Sequence, residues 1–264
     1  MTDIGAIFLP QNPPERVREV VRVAEDSGLA ELWFWEDCFL ESGIATASAA
    51  LAWSDRLTVG VGLLPVPLRN VALVAMEVAT LQRLFPGRIL AGVGHGVQEW
   101  MHQVGARAES PLTLLREHLT ALRALLHGEE VTTDGRYVRL DRVALDWPPS
   151  PPPPVLAGAT GPKTLRLCGE LSDGVILTSE STLDDVRRAR ELIEEGANRF
   201  GRDAAPPITA YLSTRSGDAP ATAGSVRDLV DAGAGKVILE PTTDDDPDAF
   251  VRFAAQEVAP LLAS

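Results

Sequence analysis

The sequence predicts a (β/α)8 barrel, an α/β fold spanning the 264 residues as one domain. Three observations carry that expectation. Eight strand-length apolar runs alternate with eight helix-period segments along the chain. The runs are continuously apolar, as in parallel strands buried on both faces. Eight such units in about 250 residues close naturally into a barrel that uses every one of them. A doubly wound open sheet is the competing arrangement.

The units follow in order. The run "IGAIFL" (4–9) precedes a helix that opens at Pro14 and stops at Gly28, with Val17, Val20, Val21 and Ala24 spaced for one face. Next, "ELWFWE" (31–36) precedes an Ala-rich helix around 43–53, and "LTVGVGLL" (57–64) precedes a helix from about Arg69 to Leu84. After "RILAGV" (88–93) and a loop comes "LTLLREHLTALRALL" (112–126), whose leucines form a broad apolar stripe. A hairpin is expected over 131–147, because Asp134-Gly135 is a strong turn signal between β-branched flanks. The run "PPSPPPP" (148–154) reads as a rigid lead-in to the fifth barrel strand. The last four units are "VLAGA" (155–159) with a helix from about Gly161 to Leu171, "DGVILT" (173–178) with a helix over 183–201, "ITAYLS" (208–213) with 222–233, and "KVILEP" (236–241) with 247–262.

Composition narrows the function. A net charge of -13 and a pI near 4.8 argue against a nucleic-acid or anionic-membrane surface, which needs clustered Lys and Arg. Two cysteines, Cys38 and Cys168, do not make a disulfide framework and suggest a reducing compartment. The N-terminus lacks a basic stretch and a cleavage site, and no apolar run approaches 18 residues, so the expectation is a cytoplasmic protein.

Barrel ligands bind at the C-terminal ends of the strands. Those ends offer no metal set: the four histidines (95, 102, 118, 127) are not spaced for zinc, and His102, His118 and His127 are expected on helix surface. No Gly-x-Ser-x-Gly elbow appears. "GRILAGVGHGVQEW" is a poor Rossmann loop, since Val97 stands at the sixth position and a long stretch of structure precedes it. What remains is backbone. Gly92, Gly94, Gly96, Gly158 and Gly161 permit close main-chain approach, and "ATGPKTLRL" puts a helix N-terminus after Thr160-Gly161, where free N–H groups attract an anion. A planar, phosphate-bearing cofactor suits such a surface. His95 is a candidate acid or base or else a loop residue bonding cofactor or backbone. Glu36 and Asp37 point to opposite sides, one into the site and the other a capping or solvated acid. Trp33 and Trp35 share a face and read as core, Cys38 as packing, Glu99 and Trp100 as pocket wall, and the Asp run 244–246 as a solvated turn.

Two blocks, "TVGVGLLPVPLRNVALVAMEVATLQRLFPGRILAGVGHG" and "PPVLAGATGPKTLRLCGELSDGVILTSES", resemble the luciferase-like monooxygenase superfamily, and within it the branch that uses the deazaflavin coenzyme F420. The resemblance is clear from about residue 28 to 180, and the stretch from Arg69 through Gly96 is its most specific part. It implies a compact luciferase-like barrel with few insertions, a cis peptide at Gly62-Leu63 backing the ring system, and Asp37 near the ring. It further implies that Gly94, His95 and Gly96 wrap the cofactor's side chain, that Ala159, Thr160 and Gly161 form its phosphate site, and that Thr178 and Ser179 line the pocket. The sugar-phosphate dehydrogenases of this branch carry an Asp-His pair after strand two and a glutamate after the Gly-x-Gly. Asp37-Cys38 and Val97 stand there instead, so that proton-handling pair is missing.

The expected function is therefore an F420-dependent oxidoreductase moving a hydride to or from a small organic substrate, with His95 the best candidate proton donor. An FMN-dependent monooxygenase is the alternative within the class, and a non-catalytic flavin- or deazaflavin-binding protein the alternative outside it. No metal, nucleic-acid or membrane partner is expected; the resemblance implies a homodimer.

Overall fold

The computed structural model describes residues 4–263. Eight parallel strands form a closed barrel: β1 (Ile4–Phe8), β2 (Glu31–Phe34), β3 (Thr58–Pro65), β4 (Ile89–Gly94), and, after a separate antiparallel hairpin of β5 (Val131–Asp134) and β6 (Arg139–Val143), β7 (Val155–Gly158), β8 (Gly174–Leu177), β9 (Ile208–Ser213) and β10 (Lys236–Glu240). Ala6 pairs with Leu32 of β2 on one side and with Leu239 of β10 on the other, so the sheet closes on itself and the open-sheet arrangement is excluded. The helices are α1 (Val17–Ser27), α2 (Gly43–Ala52), α3 (Val71–Leu84), α4 (Gln98–Gln103), α5 (Pro111–Leu126), α6 (Pro162–Leu171), α7 (Leu183–Arg199), α8 (Ala219–Ala232), α9 (Pro247–Arg252) and α10 (Ala259–Leu262). A π-helical stretch, Phe253–Val258, interrupts the expected last helix between α9 and α10. The short α4 lies in what the sequence reads as loop.

The helix ends obey the local chemistry. Gly28 closes α1 with φ 76°, donating to the Ala24 and Glu25 carbonyls, a conformation that costs other residues more. Thr182 and Asp185 form a reciprocal capping box on α7. The hairpin is docked on α5, where Glu117 accepts from the Arg136, Tyr137 and Val138 N–H groups in the loop. The proline run lies along the end of α3, with Gln82 Nε2 donating to the Pro151 carbonyl at 3.2 Å, and leads into β7, which pairs with β4.

One expectation about surface groups fails. His118 is 1% exposed, because the leucine stripe of α5 has room for it: Leu115, His118, Leu119 and Leu122 fall at i, i+3, i+4 and i+7. Its Nε2 has no hydrogen-bond partner and burial holds its pKa down at about 4, so it stays neutral. The Asp244–Asp246 run is more than a solvated turn. Asp245 accepts from the Ser216 and Thr242 hydroxyls at 2.7 Å each, and Asp246 caps α9 by accepting from the Ala249 N–H.

The barrel interior is a small second core of Ile7, Leu9, Trp33, Leu156, Ile176, Tyr211 and Ile238. Trp33, fully buried, fills its centre, and Gly60 of β3 is what admits the ring, since a Cβ there would overlap the indole. Beneath it the N-terminal end is shut by ions: Trp33 Nε1 donates to Glu31 Oε2 at 2.9 Å, and Lys236 Nζ pairs with Glu31 Oε1. The opposite end carries the candidate site.

Candidate functional site

Strand alternation builds the floor of the mouth. Trp33, Ile176, Tyr211 and Ile238 point into the barrel, so residues two further on, Trp35, Thr178, Ser213 and Glu240, crown the same interior at its C-terminal end. Trp35 lies on Tyr211 with ring centroids 5.8 Å apart and planes 27° apart, and Trp33 meets Tyr211 edge-on at 6.1 Å and 73°. The Tyr211 hydroxyl donates to the Gly62 carbonyl at 3.3 Å. The buried indole N–H of Trp35 makes no hydrogen bond of ordinary geometry, although it and the Tyr211 hydroxyl act on one another. Trp33 is core as expected, whereas Trp35 is floor.

On the β2–β3 side the two adjacent acids divide as the alternation requires. Glu36 turns to structure: it accepts from the Gly43 N–H at 2.8 Å, opening α2, and grips Arg69 through both oxygens, with Arg69 Nη2 at 2.7 Å from Oε2. Arg69 also reaches Glu77, its Nε 3.4 Å from Oε2. Asp37 is left half-buried with its pKa raised by burial. Beside it opens a cleft of about 490 Å³ that includes Cys38, Glu41, Leu68 and Arg69 in its lining. Glu41 has a buried oxygen without a partner, and burial, with Asp37 adding to it against a backbone hydrogen bond, lifts its pKa to about 7. The peptide Gly62–Leu63 is cis, at the position the resemblance implied, as is Cys38–Phe39.

On the β4–β7 side the glycines serve a neighbour within the chain. A Cβ at Gly94 or Gly158 would collide with the δ-methyl groups of Leu63, so the space those glycines open is taken by Leu63. Gly96 holds φ 66° and sits against Pro65 and Met101. His95 Nε2 lies 3.1 Å from Thr164 Oγ1 on α6, while its buried Nδ1 has no hydrogen-bond partner. Burial lowers the His95 pKa, the nearby Pro111 carbonyl working the other way, so the ring is neutral near pH 7. Ala159 is buried and contributes only backbone to the mouth; Thr160 and Gly161 are exposed. Gly161 is the N-cap of α6 and offers no side-chain cap, and a Cβ there would meet nothing within 4 Å. The first-turn N–H groups of α6 thus face open space next to His95.

On the β8–β10 side Thr178 is exposed and Ser179 half-buried. The Glu240 carboxyl has its pKa raised mainly by burial; the Ser179 hydroxyl opposes this, and Glu180 and Asp37 reinforce it. Asp37, Ser179 and Glu240 therefore share one electrostatic neighbourhood although they come from three strand ends. His95, Gly94, Gly96, Ala159, Thr160 and Gly161 form a second cluster, with Gly62 and Leu63 between the two. Glu99 is exposed and Trp100 half-buried on α4. Sequence reasoning missed the roles of Trp35, Tyr211, Glu41 and Glu240. The signal for Trp35 and Glu240 was present in the period-2 pattern of β2 and β10. That for Glu41 was not, because its burial depends on how the loop after β2 folds.

Comparison with known proteins agrees with this architecture. The luciferase-like monooxygenase profile matches residues 2–256. A 5,10-methylenetetrahydromethanopterin reductase of Methanolobus tindarius is 29% identical over 241 residues, covering 89% of this chain and 73% of the relative. Among solved structures, an F420-dependent secondary alcohol dehydrogenase in complex with an F420-acetone adduct superposes with a TM-score of 0.89 at 19% identity, over 99% of each chain. The oxygenating constituent of 3,6-diketocamphane monooxygenase from a Pseudomonas putida plasmid, in complex with FMN, superposes at 0.79 with 16% identity and 98% coverage of both.

Proposed function

The chain belongs to the luciferase-like monooxygenase family, and on that premise we propose that it is an oxidoreductase dependent on the deazaflavin F420 and acting on a small organic substrate. The observation that carries this reading is the uncapped, open N-terminus of α6 beside His95, facing a mouth floored by the Trp35–Tyr211 stack. Gly161 and Thr160, with the first-turn N–H groups of α6, take the cofactor's phosphate, and Lys163 adds charge at the same turn. Gly94, His95 and Gly96 follow its side chain. Gly62, Leu63 and Asp37 border the ring, with Thr178 and Ser179 across from them. We assign His95 to this cradle rather than to proton transfer, since it is bound to Thr164 and neutral.

The bound deazaflavin supplies or accepts the hydride. The chain's contribution is to hold the ring against one face of the mouth, orient the substrate on the other and exclude water from between them. The F420-dependent alcohol dehydrogenase among the structural neighbours supports the deazaflavin reading. The FMN-containing neighbour supports a second one, an FMN-dependent monooxygenase, on the same cradle. Fluorescence titration of the protein with F420 and with FMN separates them. Tight F420 and weak FMN binding is expected; the reverse preference moves the assignment to the monooxygenase, and binding of neither removes both.

We also assign a homodimer. The side chains of Leu73, Met76 and Leu84 on α3 are 45%, 57% and 65% exposed, and Phe39 and Leu40 are 62% and 52% exposed, more apolar surface than isolated exposed residues explain. Sedimentation velocity tests it. No helix among the described residues is long and apolar enough to cross a membrane. From the two cysteines, which make no disulfide framework, we place the protein in the cytoplasm.

A further inference from the structure

We propose that Glu240 is the acid that exchanges a proton with the substrate in this mouth. The inference rests on the deazaflavin reading and fills the place left by Cys38 and Val97, where the proton-handling groups of related dehydrogenases are absent.

The placement argues for it first. Ile238 lies in the barrel interior with Trp33, Tyr211 and Ile176. Glu240, two residues further along β10, therefore stands over that interior at the mouth, half-buried. It is the only charged residue in the crown made by Leu9, Trp35, Gly94, Gly158, Thr178, Ser213 and Glu240. The backbone fixes it there: Glu240 pairs with Ser213 in register, and the Thr214 N–H donates to the Glu240 carbonyl at 3.0 Å. A proton donor on a strand end is held more firmly than one on a loop.

The surroundings decide its protonation. The groups that act on its carboxyl are Ser179 and Glu180 after β8 and Asp37 after β2, and no cation is among them. From below, Tyr211 of β9 feels the Glu240 charge, its own ionisation disfavoured by burial and by that charge, with the Trp35 N–H acting against them. Burial and two neighbouring acids thus favour the neutral carboxyl, while the Ser179 hydroxyl works in the opposite sense. An acid tuned upward from the ordinary carboxyl range holds a proton it can pass to a substrate more readily than an untuned one does. His95 has the contrary tuning.

The step balances. As the carbon of a substrate C=O or C=N receives hydride from the reduced deazaflavin, the π pair moves to the heteroatom. That pair takes the Glu240 proton and becomes the new O–H or N–H bond, leaving Glu240 as the carboxylate. In the oxidative direction the carboxylate removes the same proton as hydride leaves the adjacent carbon. Reprotonation comes from solvent at the open mouth.

The test compares wild type with Glu240→Gln, in three measurements. Fluorescence titration reads F420 binding; reduction of a panel of activated ketones and imines by reduced F420 reads turnover against pH. Infrared difference spectroscopy of the ligand-free protein reads the protonated carboxyl directly. The inference predicts unchanged F420 binding in Glu240→Gln, turnover lower by about a hundredfold, and loss of an ionisation that shuts off reductive turnover in wild type as pH rises. It also predicts that a carboxylic-acid band that persists in wild type above the ordinary glutamate value, about 4.3, is missing from Glu240→Gln. Retained binding with unchanged turnover and pH profile overturns the inference and leaves the functional reading standing. If no panel member turns over, the infrared band decides alone: a Glu240 that ionises at or below the ordinary glutamate value, about 4.3, overturns the assignment. Failure of wild type to bind F420 overturns the functional reading, and the inference with it.

Discussion

At the N-terminal end of the barrel Trp33 gives its indole N–H to Glu31, and Glu31 pairs with Lys236, so donor, acceptor and counter-charge all meet. Two residues further along the chain, the buried N–H of Trp35 makes no hydrogen bond of ordinary geometry. The acids around it, Asp37 and Glu240, have raised pKa values and no cation to offset burial. One end spends its polar groups on the fold. The other holds acids of raised pKa without a counter-charge, as binding sites do at the expense of stability.

The sharpest way to break this contrast is to truncate the two tryptophans. Trp33→Ala should destabilise by about 4 kcal/mol in urea unfolding, from a large cavity and an orphaned Glu31 oxygen. Trp35→Ala should cost less than half as much and instead weaken F420 binding. Equal losses of stability would dissolve the distinction. Lys236→Met should cost about 3 kcal/mol, because it strands a buried carboxylate, whereas Glu240→Gln should cost nothing.

At the α6 end the two effects should separate in sign. Gly161→Asp supplies the missing N-cap and should stabilise by a few tenths of a kcal/mol. It also places a negative charge on the proposed phosphate site and should weaken F420 by about tenfold, about 1.4 kcal/mol. Loss of stability in this variant would mean that the helix end is not open as described.

The smallest effect concerns pH. A carboxyl whose folded pKa lies above its unfolded value contributes stability below the unfolded pKa, near 4.3 for Glu, and loses it as pH rises through the folded value. For Glu41 that loss extends to about pH 7. Glu41→Gln and Glu240→Gln should therefore raise Tm modestly at pH 8 and leave it unchanged at pH 4. A variant Tm below wild type at pH 8 would contradict the raised values.

The fold was legible because continuous apolar runs alternating with helical periods have few closed solutions. The break at Phe253–Val258 was not, since a π-helical stretch leaves the helical pattern of the sequence intact. His118 misled because a polar residue at a core position of a leucine stripe looks the same as a surface one until the stripe is packed. In the site, the division of labour between Glu36 and Asp37 followed from alternation. The occupant of the space over Gly94 and Gly158 did not, because Leu63 reaches it from a different strand. Glu240 was one strand end among eight in the sequence; its neighbours Asp37 and Glu180 come together only when the barrel closes.

Hydrogen–deuterium exchange with and without F420 tests the central claim most directly, since it reads both ends of the barrel at once. The account predicts slowed exchange at Gly94–Gly96 and across the first turn of α6, from Gly161 to Thr164 and Leu165, with no change around Glu31 and Lys236. Protection confined to the N-terminal end, or to the outer helices with none at those two segments, would contradict it.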